Sequence, residues 1–303
     1  MSTPLVTIVG PTASGKTSLS LALAKEFEGE IISADSRQVY KGLDLMSGKA
    51  RPNERQGIPH YLIDELRPSE TFSAAEFKNR ATEYIAEIRN RGKLPFVVGG
   101  TGLYVTGLVY DYDFAATPAD KHLRRTLETY SVEELQTKLE TLPGRTLNAA
   151  DRQNKYRLIR AIEKAHHQTE ADKPKESPYD ALQIGLYLPR TVLREKIAAR
   201  VENRLAAGVI DEIENLYEHI TSQTDAQHAV NQIRSFGLGS KLIWEYLNEN
   251  LSYEEMKDRF IRAEYQYAKR QMTWFRRDAS LYWLNAEHPL PEARKLVSER
   301  MLI

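Results

Sequence analysis

Short apolar runs alternate with helical periodicity over the first third of the chain. Leu5, Val6, Thr7, Ile8 and Val9 make an unbroken run that predicts a buried parallel strand. Residues 18–27, with Leu19, Leu21, Leu23 and Ala24, predict the helix after it. A second strand is predicted from Glu30, Ile31 and Ile32 into Ser33, Ala34 and Asp35, and a third over residues 59–64. A fourth runs from Leu94 to Val98 and breaks into Gly99 and Gly100. Between the last two, residues 73–91 carry Phe77, Tyr84, Ile85 and Ile88 on one helical face. Strands alternating with helices predict an α/β protein with a parallel sheet.

The rhythm changes near residue 117. From there to 178 the pattern is helical and polar, with no strong strand, and it ends in a loop over 171–178. These residues read as an all-helical insertion, 117–178, splitting a core made of 1–116 and 179–303. The sheet resumes over 181–188, and a helix starts near Thr191 with Leu193, Ile197, Val201 and Leu205 inward. A long helix is predicted from about Tyr253 to Arg276, with Ile261, Tyr265, Ala268, Met272 and Phe275 as its apolar stripe. Arg259, Arg262, Gln266 and Lys269 form its polar one. Leu281 to Leu284 reads as a late strand.

The first turn of the chain carries its sharpest chemical signal. Gly10, Pro11, Thr12, Ala13, Ser14, Gly15, Lys16 and Thr17 fit G-x-x-x-x-G-K-[ST], between a strand and a helix as that motif requires. Glycines let successive N–H groups converge on an anion at a helix N-terminus, Lys16 supplies charge for terminal phosphate oxygens, and Thr17 presents a hydroxyl to Mg²⁺. The fold class is therefore a P-loop NTPase-like parallel sheet flanked by helices, with an inserted helical domain. The motif alone marks ATP- and nucleotide-binding proteins and leaves the phosphate compound open.

Other candidates follow from the strand ends, where ligands gather in open α/β sheets. Asp35 there reads as a metal-ordering or proton-accepting carboxylate, with a helix N-cap as its other reading. Gly99, Gly100 and Thr101 read as a second close-approach loop near the same ends. His60 has no partner at ligand spacing and reads as structural. Arg200 and Arg204 read either as a forked clamp on diphosphate oxygens or as surface partners of nearby glutamates. Arg157, Arg160 and Lys164 share one helical face, and the strip from 257 to 277, which includes Lys269 and Arg270, is basic with interleaved aromatics. Both suit RNA phosphates, and both also fit an ordinary solvated face.

Charge and composition narrow the picture. Lysine plus arginine and aspartate plus glutamate are equal at 42 each, so any affinity for nucleic acid must be local. The absence of cysteine excludes disulfides, thiol catalysis and thiolate zinc sites. There is no signal-like or membrane-spanning apolar run, which predicts a soluble cytoplasmic protein, expected to be a monomer and to use no membrane.

Several stretches together resemble one family: residues 10–17, 32–40, 98–104, 157–163 and 268–274, in that order and over essentially the whole chain. They are similar to bacterial tRNA dimethylallyltransferases, the tRNA isopentenyltransferases. The resemblance implies transfer of a dimethylallyl group from dimethylallyl diphosphate to N6 of adenosine 37 in tRNAs reading codons that begin with U, with the P-loop holding diphosphate rather than ATP. It implies Asp35 as general base, Thr17 as the Mg²⁺ contact and Thr101 near the reacting centre. Ser36, Arg37 and Gln38 then lie against the target nucleotide, and Arg124, Arg157 and Arg160 touch the tRNA anticodon stem-loop. The chain departs from the family pattern at Gly239, Ser240 and Lys241 and at Glu264 and Tyr265, changes expected to lie on the RNA-facing half and to leave the transfer site untouched. Competing readings are a P-loop small-molecule kinase, an adenylate isopentenyltransferase, and a nucleotide-switched RNA-binding protein without transfer activity.

Overall fold

The computed structural model describes residues 4–114, 120–142, 147, 149–166 and 177–302. Its contacts divide the chain into two units, Met1–Val109 with Ser177–Ile303, and Tyr110–Glu176. Residues 115–119 and 167–176, which hold the start of the expected insertion and most of its closing loop, lie outside the described residues.

The larger unit begins β1 (Leu5–Val9), α1 (Lys16–Glu26), β2 (Gly29–Ser33), α2 (Asp44–Ser47), β3 (His60–Tyr61), α3 (Ala74–Asn90), β4 (Leu94–Gly99) and α4 (Gly102–Val109). The helical unit holds α5 (Lys121–Glu128), α6 (Val132–Glu140), α7 (Ala149–Arg152) and α8 (Lys155–His166). The larger unit then continues with β5 (Ala181–Tyr187), α9 (Arg190–Ala206), α10 (Val209–Thr221), α11 (Ala226–Ser235), α12 (Leu238–Leu247), α13 (Tyr253–Phe275), β6 (Tyr282–Asn285) and α14 (Leu290–Met301).

The strands form one sheet in the order β3-β2-β4-β1-β5-β6, parallel throughout. Every residue of β1 and β4 is buried, as unbroken apolar runs at the centre of a two-sided sheet must be. The third expected strand shrinks to His60 and Tyr61, because only Ile31 and Ile32 pair with it at the sheet edge. Register aligns Val9 with Gly99 and Ser33 with Val98, so the segments leaving β1, β2 and β4 emerge side by side. That alignment makes the site.

One core cluster packs α1 and α14 on the sheet through Leu19, Leu23, Ala293 and Val297. A second joins α9 to α13 with the segment after β2, through Val39, Leu43, Val201, Val209, Ile233, Ile243 and Phe260. The apolar stripe of α13 is displaced from its expected position: Met256, Phe260, Ala268, Gln271 and Phe275 are buried, whereas Ile261, Tyr265 and Met272 are only half-buried. The helix faces two different neighbours along its length, so a single period does not describe it. Arg259, Arg262, Gln266 and Lys269 are exposed, as expected. Capping boxes start α6 at Ser131 and Glu134, and α13 at Ser252 and Glu255.

The helical unit has its own core of Leu127, Leu135, Leu139, Leu158, Ile159, Ala161 and Ile162. At its centre Glu163 is fully buried. Its carboxylate accepts from Arg124 through Nε at 3.0 Å and Nη2 at 2.8 Å, and from Arg160 Nη1 at 3.2 Å. Removing one partner leaves buried charge uncompensated. Glu163→Ala is accordingly expected to destabilise this unit by about 3–5 kcal/mol. Hydrogen exchange of the α5 and α8 amides in urea checks this, and unchanged protection would contradict it.

Candidate active site

The phosphate loop joins β1 to α1. Gly10, Ala13 and Gly15 take positive φ values of 152°, 61° and 80°, which wind the loop tightly before α1 begins at Lys16. The first amides of α1 are free of any side-chain cap, the donor set that binds an anion. The Ser14 hydroxyl is buried without a hydrogen-bond partner. Lys16 folds back on the loop, its Nζ donating to the Gly10 and Pro11 carbonyls at 3.0 and 2.7 Å. Desolvation and the nearby Arg200 charge lower its pKa to about 7, against an opposing pull from Asp35. Because the unfolded chain would bind this proton between about pH 7 and 10.5 and the folded chain does not, the residue's contribution to stability grows as pH rises through that window.

A cavity of about 520 Å³ opens over the loop. Thr12 to Thr17 line it from one side, Asp35, Ser36, Arg37 and Gln38 from another, with Gly99 and Gly100 from the end of β4. Arg200 and Arg204 reach it from α9, and Glu264, Tyr267, Arg270 and Gln271 from α13. Asp35 Oδ1 accepts from the Arg37 N–H at 2.9 Å, so its capping reading is realised as a local turn that leaves the second oxygen unused by that turn. The Thr101 hydroxyl accepts from the Ser36 N–H at 3.1 Å and lies beside Tyr267. Burial, with Asp35 nearby, raises the Tyr267 phenol to about 12, so it stays protonated at neutral pH.

The two arginines stand apart from ordinary surface partners. Arg204 is 7% exposed, its Nη1 makes no hydrogen bond, and its nearest carboxylate, Glu264, is 3.7 Å away. Desolvation and the like charge of Arg200 depress its pKa to about 10. Both guanidiniums lie against Gly48, where an added Cβ would stand 2.2 Å from Arg200 Nη2 and 2.6 Å from Arg204 Nη2. A side chain there would push both guanidiniums aside, and the left-handed backbone at φ 62° favours glycine as well.

Other expectations need correction. Glu264 lines the phosphate cavity beside Arg204, so one of the chain's departures from the family pattern falls in this cavity rather than away from it. Gly239 and Ser240 are buried: Gly239 packs between Met46 and Phe260, and the Ser240 hydroxyl donates to Ile233 and Gly237 carbonyls. Ser240 is packed into the core, Gly239 also lines the cavity, and Lys241 is exposed to solvent. His60 lines the cavity too, its ring Nδ1 sitting 2.8 Å from the Ile58 carbonyl. In the helical unit Arg124 and Arg160 share Glu163 and Arg157 pairs with Asp151, so that basic face is partly committed to carboxylates. The exposed Tyr156 ring carries the Arg124 guanidinium 5.6 Å above its centre. Lys269 is exposed and outside the cavity lining, whereas its neighbour Arg270 is in it.

Among the described residues no group of His, Cys, Asp and Glu forms a protein-only metal cage. A hydroxyl at Thr17 and a carboxylate at Asp35 in one cavity suit a hard cation that keeps waters and phosphate oxygens as its remaining ligands, the habit of Mg²⁺.

The family model described as IPP transferase matches residues 38–278. A tRNA dimethylallyltransferase of Halalkalibacterium halodurans is 40% identical over 296 residues, covering 94% of this chain and 92% of the relative. One of Acetivibrio thermocellus is 40% identical over 294 residues, covering 93% and 92%. The crystal structure of the full-length tRNA isopentenylpyrophosphate transferase from Bacillus halodurans superposes with a TM-score of 0.73 at 38% identity, over 99% of this chain and 97% of that one. A eukaryotic dimethylallyltransferase acting on tRNA gives 0.74 at 25% identity, over 99% of this chain and 78% of its own. With the phosphate loop, the carboxylate and the arginine pair converging on one cavity, and similarity running through both units, the chain belongs to the IPP transferase family.

Proposed function

We propose that the protein is a tRNA dimethylallyltransferase, moving a dimethylallyl group from dimethylallyl diphosphate to N6 of adenosine 37 in tRNAs that read codons beginning with U. The observation that carries this reading is the single cavity in which Asp35 and Thr101's partner Ser36 face a diphosphate cradle containing Lys16, Arg200 and Arg204. The reaction joins the adenine N6 to the allylic C1, breaks the C1–O bond and releases diphosphate. Asp35 accepts the proton lost from N6. An exocyclic amine is a weak nucleophile, so proton removal and charge stabilisation on the leaving group both lower the barrier.

Lys16, Arg200, Arg204 and the amides at the start of α1 hold the diphosphate and meet the charge that grows on it as the bond breaks. Thr17 would hold a Mg²⁺ ion here, which would further neutralise that charge. Ser36, Arg37, Gln38, Thr101 and Arg270 are the side chains for the flipped adenosine and its backbone, since a stacked adenine exposes too little of its amine to react. Lys269 and the exposed stripe of α13 suit tRNA phosphates. Arg124, Arg157 and Arg160 of the helical unit suit the anticodon stem. Such a substrate is met in the cytoplasm, and among the described residues no helix is long and apolar enough to cross a membrane.

The direct test incubates the protein with Mg²⁺, unmodified tRNA and dimethylallyl diphosphate, digests the RNA and weighs its nucleosides. A dimethylallyladenosine peak formed without ATP is expected; its absence with several tRNAs of the right codon class would sink the proposal. Binding of the donor at pH 8 has its own signature. Free Lys16, with a pKa near 7, is then mostly neutral, and an ionised diphosphate beside it raises that pKa. Calorimetry in buffers of different ionisation enthalpy is therefore expected to register net proton uptake per complex, lost in Lys16→Met. Uptake that persists in the variant would contradict this.

A further inference from the structure

Three residues on one face of α13, spaced i, i+4 and i+7, each seat one residue of the loop after β4. Tyr267 lies beside Thr101. Gln271 Nε2 donates to the Gly100 carbonyl at 3.0 Å. Trp274 lies over Gly102, and its indole N–H donates to the Thr106 hydroxyl at 3.0 Å. The middle residue does more than its neighbours. Gln271 Oε1 also accepts from the Thr12 N–H in the phosphate loop, at 2.8 Å.

We infer that Gln271 is a positioning residue that sets the separation between the loop holding the leaving diphosphate and the loop holding the adenosine side of the reaction. This rests on the proposed transfer. Its side chain is 6% exposed, in a helix face otherwise filled by apolar groups, so its amide is kept there by the two bonds it makes. Both bonds go to main-chain atoms, one in each loop, and neither goes to a residue near it in sequence. Gly100 is shaped to admit it: a Cβ there would stand 2.1 Å from Nε2. One amide of the phosphate loop is thereby committed to protein rather than offered to a phosphate.

The consequence is geometric. In a displacement at an allylic carbon the leaving group and the attacking nitrogen sit on opposite sides, so the two loops must keep a set distance. A misplacement of about 1 Å costs on the order of 10²-fold in rate. If the loops drift apart, the allylic C1–O bond can still break on the diphosphate side while water, rather than N6, supplies the new bond to C1. That gives dimethylallyl alcohol and diphosphate, with the proton passing to solvent.

Two variants test this in the full chain. Gln271→Met keeps the volume without the amide; Gln271→Asn keeps the amide on a stem too short to span both carbonyl and N–H. For both, kcat for transfer is expected to fall by about 10²-fold. Affinity for inorganic diphosphate should stay within about threefold, since the anion-facing amides remain, and the ratio of alcohol to modified nucleoside should rise. Wild-type behaviour in Asn would show that a polar group suffices and overturn the spanning role. Loss of transfer with an unchanged alcohol-to-nucleoside ratio, or with diphosphate affinity lost in proportion, would overturn it as well. A wild-type protein that makes no modified nucleoside sinks the proposed function itself, an outcome read before either variant is compared.

Discussion

Replacing Asp35 with asparagine is expected to lower kcat for transfer by about 10³-fold, inside the roughly 10²–10⁴-fold range for loss of a general base. Asparagine is nearly isosteric and keeps an oxygen for the Arg37 N–H, so the turn that aims residues 35–38 survives. What it loses is the ability to accept the N6 proton. Diphosphate binding should therefore hold while chemistry fails. Rapid-quench measurement of a single turnover, with diphosphate affinity taken separately, checks the split. A variant that keeps its chemical step, or that loses diphosphate binding in step with it, would assign Asp35 to holding the anion instead.

Arg204→Met is expected to cut transfer by about 10²–10³-fold, the scale for removing one donor aimed at developing charge. The same change should leave the melting temperature of the free protein equal or higher. Arg204 is a buried charge whose Nη1 has no acceptor and whose carboxylate neighbour is 3.7 Å away, and burial already pulls its pKa down to about 10. An incompletely paired interior charge is weak support for a fold, and an apolar residue of similar volume often serves it as well or better. In the proposed reaction a diphosphate would supply the missing acceptor. Calorimetric unfolding with and without diphosphate reads both halves: ligand stabilisation should shrink in the variant while the free melting temperature does not fall. A free protein that loses several degrees would make Arg204 structural.

Arg200 shares the cavity and presses on the same Gly48, yet it is less buried than Arg204. Spacing along the helix did not separate the two, because both follow the same strand and both have glutamates nearby in sequence. Burial separates them, and burial depends on α13 and on the segment around Gly48, neither of which is local to α9.

The sequence by itself determined the parallel strands, since unbroken apolar runs such as Leu5 to Val9 can be satisfied only inside a sheet covered on both faces. It also determined the phosphate loop, whose residues are contiguous. Local pattern carries such features because every atom they need lies within a few residues. It could not supply the helical layer of α10 to α12, whose burial comes from neighbours such as Leu43, Met46 and Phe260. Nor did it anticipate Glu163 joining Arg124 to Arg160, Glu264 beside Arg204, or Gln271 between two loops. Gln271 lies 259 residues from Thr12 and 171 from Gly100, and periodicity along α13 reports only that a face is buried. Which groups meet on that face is decided by packing at long range, where a polar residue is kept only if the fold delivers its partners.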